Sequence, residues 1–240
     1  MTHTALNAGF LTDLQQHWPF PTALPDCTLV SACFNQQALS PALFTHYQIS
    51  APQAVIKRQA EFLAARLCAR EALRRQTGYA SLPTQQAQSR IPLWPQPNCG
   101  SMTHSHQICA AIVGDLRHWQ SFGLDLEKPI PIQRAQRLAS TILTAEEYAA
   151  YSHLDPEQQA KRLTLIFSLK ESVFKALNPL TGTYFGFHDA QVLDIQGIET
   201  GHARLRLEKD LSASWPAGSE LDGQFAQLQG STLTLVSVAG

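Results

Sequence analysis

Apolar and polar residues are distributed unevenly along this chain, and the pattern predicts most of its elements. Residues 57–75, KRQAEFLAARLCAREALRR, are dense in Ala, Leu, Glu and Arg and meet no Gly or Pro until Gly78, so they form the clearest helix. Before it, residues 1–52 are Pro-punctuated and mixed, with CTLVSACF at 27–34 as a buried strand. Pro83, Pro92, Pro95, Pro97 and Gly100 mark residues 83–100 as an extended loop. Strands follow at about 107–113 and 122–127, joined through residues 114–120. The second half reads helix, helix, strands. Thr144 and Glu147 have capping-box spacing before a short helix through Tyr151. Asp155-Pro156 reads as an N-cap with Pro at the first helical position, and that helix runs to about Leu177 and stops at Asn178-Pro179. Strands are expected at 190–195, 202–208, 223–229 and 231–238. HARLRLE in the second of these alternates strictly, so it is half buried, and Gln229-Gly230 turns a closing hairpin. Each half thus holds a long helix and several strands, an α+β pattern divided at 1–120 and 121–240.

Composition narrows the class. The chain has 240 residues, enough for one large domain or two small ones, and 44% hydrophobic residues, which excludes disordered and fibrous classes. Net charge is −1, without the basic excess of a protein that coats nucleic acid. Charged residues are only 15%, and 23 Gln supply much of the polarity. The first residues, MTHTALNAGFLTDL, carry no Lys or Arg before an apolar stretch, and apolar runs such as ICAAIV are too short to span a bilayer. No secretory signal, membrane span or membrane-surface anchor is expected, and the location expected is cytoplasmic. Cys27, Cys33, Cys68, Cys99 and Cys109 are odd in number and form no CxxC pair. They read as small hydrophobes in a reducing compartment.

Three clusters carry candidate chemistry. In GLDLE, Asp125 and Glu127 point to one face of a strand while Leu124 and Leu126 point to the other. Two carboxylates about 7 Å apart suit a shared hard cation such as Mg²⁺. Taken alone, they are also what an exposed strand face presents. A strand-face carboxylate is not a core element, so even as a metal ligand Asp125 is expected to be removable with the fold nearly unchanged. In FSLKESVFK, Glu171 and Lys175 are one helical turn apart. They form either a surface pair or a third metal-binding carboxylate beside a cation for an anionic substrate. The third cluster is basic. Arg58, Arg66, Arg70 and Arg74 fall on a four-residue stride completed by Phe62, with Glu61 and Glu71 neutralising a solvated face. Arg90 precedes IPLWP, where the Trp94 ring lies within reach of an adenine, and Thr103 and His104 in GSMTHSH offer donors to phosphate. There is no GxGxxG, GxxxxGK[ST] or GxSxG, so phosphate recognition here relies on side chains.

The order KRQAEFLAARLCAREAL, IPLWPQPNCGSMTHS, GLDLE, FSLKESVFKA resembles the 4′-phosphopantetheinyl transferases, in particular the monomeric surfactin/enterobactin-synthetase type and its broad-acting bacterial branch. The resemblance covers residues 55–240, and the most specific pair is GLDLE with a KExxxK whose Glu171 lies 44 residues after Glu127. It implies an α+β fold of two similar lobes related by a pseudo-twofold, with the active site in the cleft between them. It also implies transfer of phosphopantetheine from coenzyme A to a serine of an apo acyl or peptidyl carrier protein, releasing adenosine 3′,5′-bisphosphate. In that reading Mg²⁺ sits on Asp125, Glu127 and Glu171. Glu171 is the base, and Lys175 holds the pyrophosphate. Arg58, Arg66, Arg90, Thr103 and His104 bind the nucleotide end. Phe167 stands where many relatives have Trp, Thr103 replaces a common Ser, and Ala65 stands where Gly is frequent. Carrier docking is expected on residues 128–160, where Leu138, Ile142 and Leu143 would form an apolar patch rimmed by Arg134 and Arg137. The competing readings are a non-catalytic carrier-binding scaffold and a Mg²⁺-dependent phosphate-ester hydrolase.

Overall fold

The computed structural model describes residues 9–85 and 91–240, and these form two units. The first comprises the chain through Trp18 together with Asp26–Asp115; the second comprises Pro19–Pro25 and Leu116–Gly240.

The elements of the first unit are β1 (Leu11–Gln16), β2 (Cys27–Phe34), α1 (Pro41–Tyr47), α2 (Ile56–Thr77), β3 (Thr84–Gln85), β4 (Pro92–Leu93), β5 (Asn98–Ser105) and β6 (Ile108–Asp115). Four of the strands make an antiparallel sheet in the order β1-β2-β6-β5. Helix α2 covers it with Ala60, Leu63, Ala64, Leu67, Cys68 and Ala72, all buried. Four of these six are Ala or Cys, so the helix backbone can approach the sheet closely. The Cys68 thiol donates to the carbonyls of Val30 and Cys109 at 3.6 Å, and all five cysteines are buried or half-buried and outside any disulfide, as their reading as small hydrophobes expects. Gly78, at φ 83°, ends α2 in the left-handed conformation that glycine tolerates.

The expected loop at 83–100 is partly wrong. Residues from Asn98 onward pair with β6 along their full length, which puts Thr103 and His104 on a strand. Proline density hid it, because all four prolines lie before Asn98. The Trp94 ring packs over Gly100, where a Cβ would fall 2.9 Å from the indole and 2.4 Å from the Ile112 carbonyl oxygen. Trp94 thus packs half-buried against the core of this unit, and its Nε1 is buried with no hydrogen-bond partner among the described residues.

The second unit contains β7 (Trp119–Glu127), α3 (Ile132–Ile142), α4 (Ala145–Ser152), α5 (Pro156–Thr181), β8 (Ala190–Gly197), β9 (Gly201–Leu207), β10 (Glu220–Leu228) and β11 (Ser231–Ala239). Its five antiparallel strands run β7-β11-β10-β9-β8. The expected capping box of Thr144 and Glu147 starts α4; Asp155 caps α5 as expected, with Pro156 at the first helical position, and Gln158 completes a second capping box there. Helix α5 does not stop at Asn178-Pro179. It continues to Thr181 and ends on Gly182 at φ 65°. A proline in the last turn forfeits only its own N–H bond, and the glycine after it supplies the termination. The β10–β11 turn places Gln229 and Gly230 at φ 50° and 73°, the two positive values a tight hairpin turn needs. Among the described residues no helix is long and apolar enough to cross a membrane.

Helix α5 lies against β7 and β11 at one narrow point. An added Cβ on Gly123 would fall 1.8 Å from the Ser172 carbonyl oxygen, a backbone atom that cannot swing away. Small side chains on the helix, Ser168 and Ser172, face Thr234 of β11 at the same place. Gly123→Ala is therefore expected to lower unfolding free energy by about 3 kcal/mol in urea titrations. Gly186→Ala, whose Cβ meets nothing nearer than an Asp189 oxygen at 4.0 Å, should stay within about 0.5 kcal/mol of the parent.

Candidate active site

In the second unit, strand β7 pairs with β11 so that Asp125 lies opposite Thr234 and Glu127 opposite Thr232. Asp125 is only 4% exposed. Ser168 Oγ donates to its Oδ2 at 2.8 Å, and Lys175 Nζ donates to its Oδ1 at 2.7 Å. The lysine also donates to the Leu124 carbonyl at 3.0 Å, so two contacts fix the ammonium group. Behind Ser168, Thr234 Oγ1 donates to the Ser168 carbonyl at 2.9 Å, and the Ser172 hydroxyl lies 2.8 Å from Thr234 Oγ1. The expectation that Asp125 sits on an expendable strand face is overturned. Its removal would strand a buried hydroxyl and a half-buried ammonium.

Glu127 and Glu171 complete the acidic group. Burial, reinforced by the charge of Asp125, pushes the Glu127 carboxyl up to about 7, with Glu171 raising it further and Lys175 and Arg134 opposing. The Glu171 carboxyl is raised too, by burial first and then by Asp125. Two carboxylates whose proton affinity is raised by burial and by Asp125, with one ammonium nearby, make a site short of positive charge. Hard oxygen donors in that condition fit a divalent cation chemically. Among the described residues no three His, Cys, Asp or Glu side chains converge closely enough to enclose a metal by themselves. Magnesium commonly takes only one or two protein carboxylates and fills its shell with water and substrate phosphates, so the donor set fits such an open arrangement.

Lys170, next to Glu171, has a different task that the sequence reading left unassigned. Its ammonium is 1% exposed and donates to Glu147 Oε2 at 2.7 Å, to the Ile142 carbonyl at 2.8 Å and to the Phe187 carbonyl at 2.9 Å. Glu147 Oε1 in turn accepts from the Val192 amide at 2.6 Å. Burial pushes the lysine below its ordinary value, and Glu147 opposes that shift. The pair joins the ends of α3 and α4, the turn before β8, and β8 itself to the helix that carries Glu171. The signal for it was a lysine in an otherwise apolar helical segment. Phe167 packs against Phe187 with ring centroids 5.4 Å apart.

The expected docking patch is also redistributed. Ile142 and Leu143 are core residues, and Leu138 is half-buried. The exposed side chains of this stretch include Arg134 and Arg137 and the large apolar Ile132 and Tyr148, together with the acidic Glu146 and Glu157.

In the first unit the basic residues of α2 have separate partners. Arg58 Nη1 donates to Glu61 Oε2 at 2.9 Å. Arg74 and Arg75 both donate to Glu71, which the guanidinium of Arg74 first of all holds below the usual carboxylate range. The Arg66 guanidinium lies 3.4 Å over the Phe62 ring, and burial brings it down to about 10. No carboxylate pairs with it among the described residues, so this half-buried cation is available to an anion. Arg70 sits 5.4 Å over Tyr47. His104 of β5 turns Nδ1 toward Glu61 Oε2 at 3.8 Å, whereas Thr103, its neighbour on the strand, points to the opposite face and is buried. Arg90 lies outside the described residues. Glu61, expected only as a neutralising charge on a wet face, is instead buried between Arg58 and His104.

Comparison with known proteins follows the same division. Residues 46–114 match the family model for a 4′-phosphopantetheinyl transferase N-terminal domain, and residues 121–230 match that of the 4′-phosphopantetheinyl transferase superfamily. The chain is 31% identical over 222 residues to 4′-phosphopantetheinyl transferase Svp of Streptomyces mobaraensis, covering 90% of this chain and 87% of that protein. It is 31% identical over 225 residues to enterobactin synthase component D of Salmonella typhimurium, covering 93% and 91%. It is also 32% identical over 188 residues to 4′-phosphopantetheinyl transferase PptT of Mycobacterium tuberculosis, covering 77% and 81%.

The raised Glu127 carboxyl has a thermodynamic signature. Between about 4.5, the ordinary glutamate value, and about 7 the folded protein holds a proton there that the unfolded chain has released. Folding then binds more protons, so this group's contribution to stability falls as pH rises through that window and levels off above it. In metal-free buffer Glu127→Gln should gain stability relative to the parent as pH is raised from 4.5 to 7 and keep a constant lead above 7. Parallel stability–pH curves for the two proteins in urea titrations would show that Glu127 is not electrostatically strained.

Proposed function

The chain belongs to the 4′-phosphopantetheinyl transferase superfamily, and from that premise we propose that it moves the phosphopantetheine group of coenzyme A to a serine hydroxyl of an apo acyl or peptidyl carrier protein, with Mg²⁺, releasing adenosine 3′,5′-bisphosphate. The observation that carries this reading is the charge-deficient cluster of Asp125, Glu127 and Glu171 around Lys175. Breaking a pyrophosphate bond develops negative charge that must be neutralised where it forms. Asp125, Glu127 and Glu171 would hold the Mg²⁺, which supplies part of that neutralisation when bound. Lys175, fixed on Asp125 and the Leu124 carbonyl, presents its charge to the pyrophosphate oxygens without having to reorganise. Glu171, whose proton affinity is raised by burial and by Asp125, takes the proton of the attacking serine directly or through a water. Arg58, Arg66, Arg90 and His104 hold the nucleotide end and its 3′-phosphate, and Thr103 offers a hydroxyl from the other face of β5.

The name of one relative, enterobactin synthase component D, ties that protein to siderophore assembly. A siderophore-type peptidyl carrier is therefore the first substrate to test, beside fatty-acid and polyketide carriers. The experiment is incubation with coenzyme A, Mg²⁺ and a panel of apo carriers, read by intact mass. Addition of one phosphopantetheine per carrier is expected, and Glu171→Gln should slow it by roughly a thousandfold. Coenzyme A breakdown without a carrier would indicate a hydrolase. Carrier binding without either reaction would indicate a scaffold.

The carrier, a small acidic helical protein, is proposed to dock on α3 and α4 through Ile132 and Tyr148 with Arg137 at the rim. The charge of Arg134 reaches Glu127, so altering it would mix docking with chemistry. Arg137→Glu is the cleaner probe. It should raise KM for the carrier about threefold at low ionic strength and less at physiological salt, with KM for coenzyme A unchanged. An equal rise in both KM values would remove this face from docking.

A further inference from the structure

Glu61 has no place in the functional reading so far, yet its surroundings are unusual for a helix-surface carboxylate. Its side chain is 7% exposed, whereas that of Arg58, one turn earlier on α2, is 66% exposed. The same oxygen, Oε2, accepts from Arg58 Nη1 at 2.9 Å and faces His104 Nδ1 of β5 at 3.8 Å. One buried negative charge therefore lies beneath two outward donors from different elements, a helix and a strand. Burying a carboxylate is unfavourable unless it is paired, and an i,i+3 surface pair gains too little to require it.

We propose that Glu61 is a positioning residue for the nucleotide end of coenzyme A: it holds Arg58 and His104 in the orientation that receives the 3′-phosphate. Glu61 does not touch the ligand itself. Arg58 spends one of its five N–H donors on Glu61 and keeps the others for phosphate. With Nδ1 turned to the carboxylate, Nε2 is the ring atom a phosphate would meet, and it donates there from the imidazolium that carries hydrogen on both nitrogens. The inference rests on the proposed role of Arg58 and His104, so the experiment must separate the two claims.

A further consideration fixes the sign. Removing a negative charge beside two cations raises the local positive potential and by itself strengthens anion binding. Loss of orientation weakens it. The probes are adenosine 3′,5′-bisphosphate and adenosine 5′-monophosphate, titrated calorimetrically into the full-length protein. Glu61→Gln should weaken the bisphosphate about tenfold and the monophosphate less than about twofold. In a His104→Ala background the same change should have a much smaller effect on the bisphosphate, because the two residues act as a unit.

Tighter bisphosphate binding by Glu61→Gln, equal effects on both nucleotides, or full additivity with His104→Ala would each overturn the positioning role. If His104→Ala itself weakens both nucleotides equally, the error is instead in placing the 3′-phosphate at this histidine. A measurement on the unmodified protein guards against a variant that fails to fold. The ¹⁵N spectrum of the His104 ring, identified by its loss in His104→Asn, should show hydrogen on Nδ1. A ring with bare Nδ1 would overturn the proposal.

Discussion

Everything in the second unit is arranged around the contact between helix α5 and strand β7, where the helix backbone comes as near as a missing side chain allows. Gly123 makes that approach possible, and Ser168, Ser172 and Thr234 occupy the seam with short hydroxyls. The result is that Asp125, two residues along the strand, is buried yet fully accommodated: one oxygen on Ser168 and the other on Lys175 of the same helix. A bulkier seam would push α5 outward and leave Asp125 facing water and Lys175 without its anchor. Packing and chemistry are thus set by one distance.

The electrostatics follow from that geometry. Once Asp125 is charged and enclosed, Glu127 and Glu171 feel it at short range in a poorly solvated place, and both resist ionisation. The ammonium of Lys175 offsets part of the repulsion but cannot balance three carboxylates. A site left short of positive charge in this way favours a cation and a polyanionic substrate arriving together, which is the pairing that phosphoryl chemistry uses.

Local sequence carried much of this. The Ala-rich helix, the Thr144–Glu147 capping box, the Asp155 N-cap, the two-residue turn at Gln229-Gly230 and the four C-terminal strands are set by short-range rules, and they stand in the structure where those rules put them. Helices α1 and α3 went unread, and the strands that escaped depend on long-range pairing. Strand β5 is stabilised by hydrogen bonds to β6, so its sequence, opening on Asn98-Cys99-Gly100 after four prolines, carried little sign of a strand. Strand β1, also missed, is exposed on most of its positions and lacks an apolar face to announce it. Burial of charge was equally hidden. Nothing in a list of neighbours distinguishes Glu61, which is enclosed beneath Arg58, from Glu71, which is half-buried beside an exposed Arg74. Asp125 and Glu171 were found because they recur in a recognisable order, whereas the hydroxyl that holds Asp125 comes from Ser168, 43 positions away, and is itself met by Thr234, 109 positions from Asp125.

The adjacent residues Lys170 and Glu171 point in directions about 100° apart on the helix, one locked into three carbonyl and carboxylate contacts and the other toward the acidic cluster. Their separation depends wholly on the phase of α5, which is set at its start by Asp155 and Gln158. Inserting one residue between Gln158 and Lys170 would rotate everything beyond it by that angle, putting Leu169 at the lysine's sealed pocket and the lysine at the acidic cluster in place of Glu171. An insertion in the turn at 153–154, ahead of the cap, leaves the phase intact. Length variation among descendants of this chain should therefore accumulate before Asp155 and be absent from the helix that follows, making α5 a ruler whose zero mark is its own N-cap.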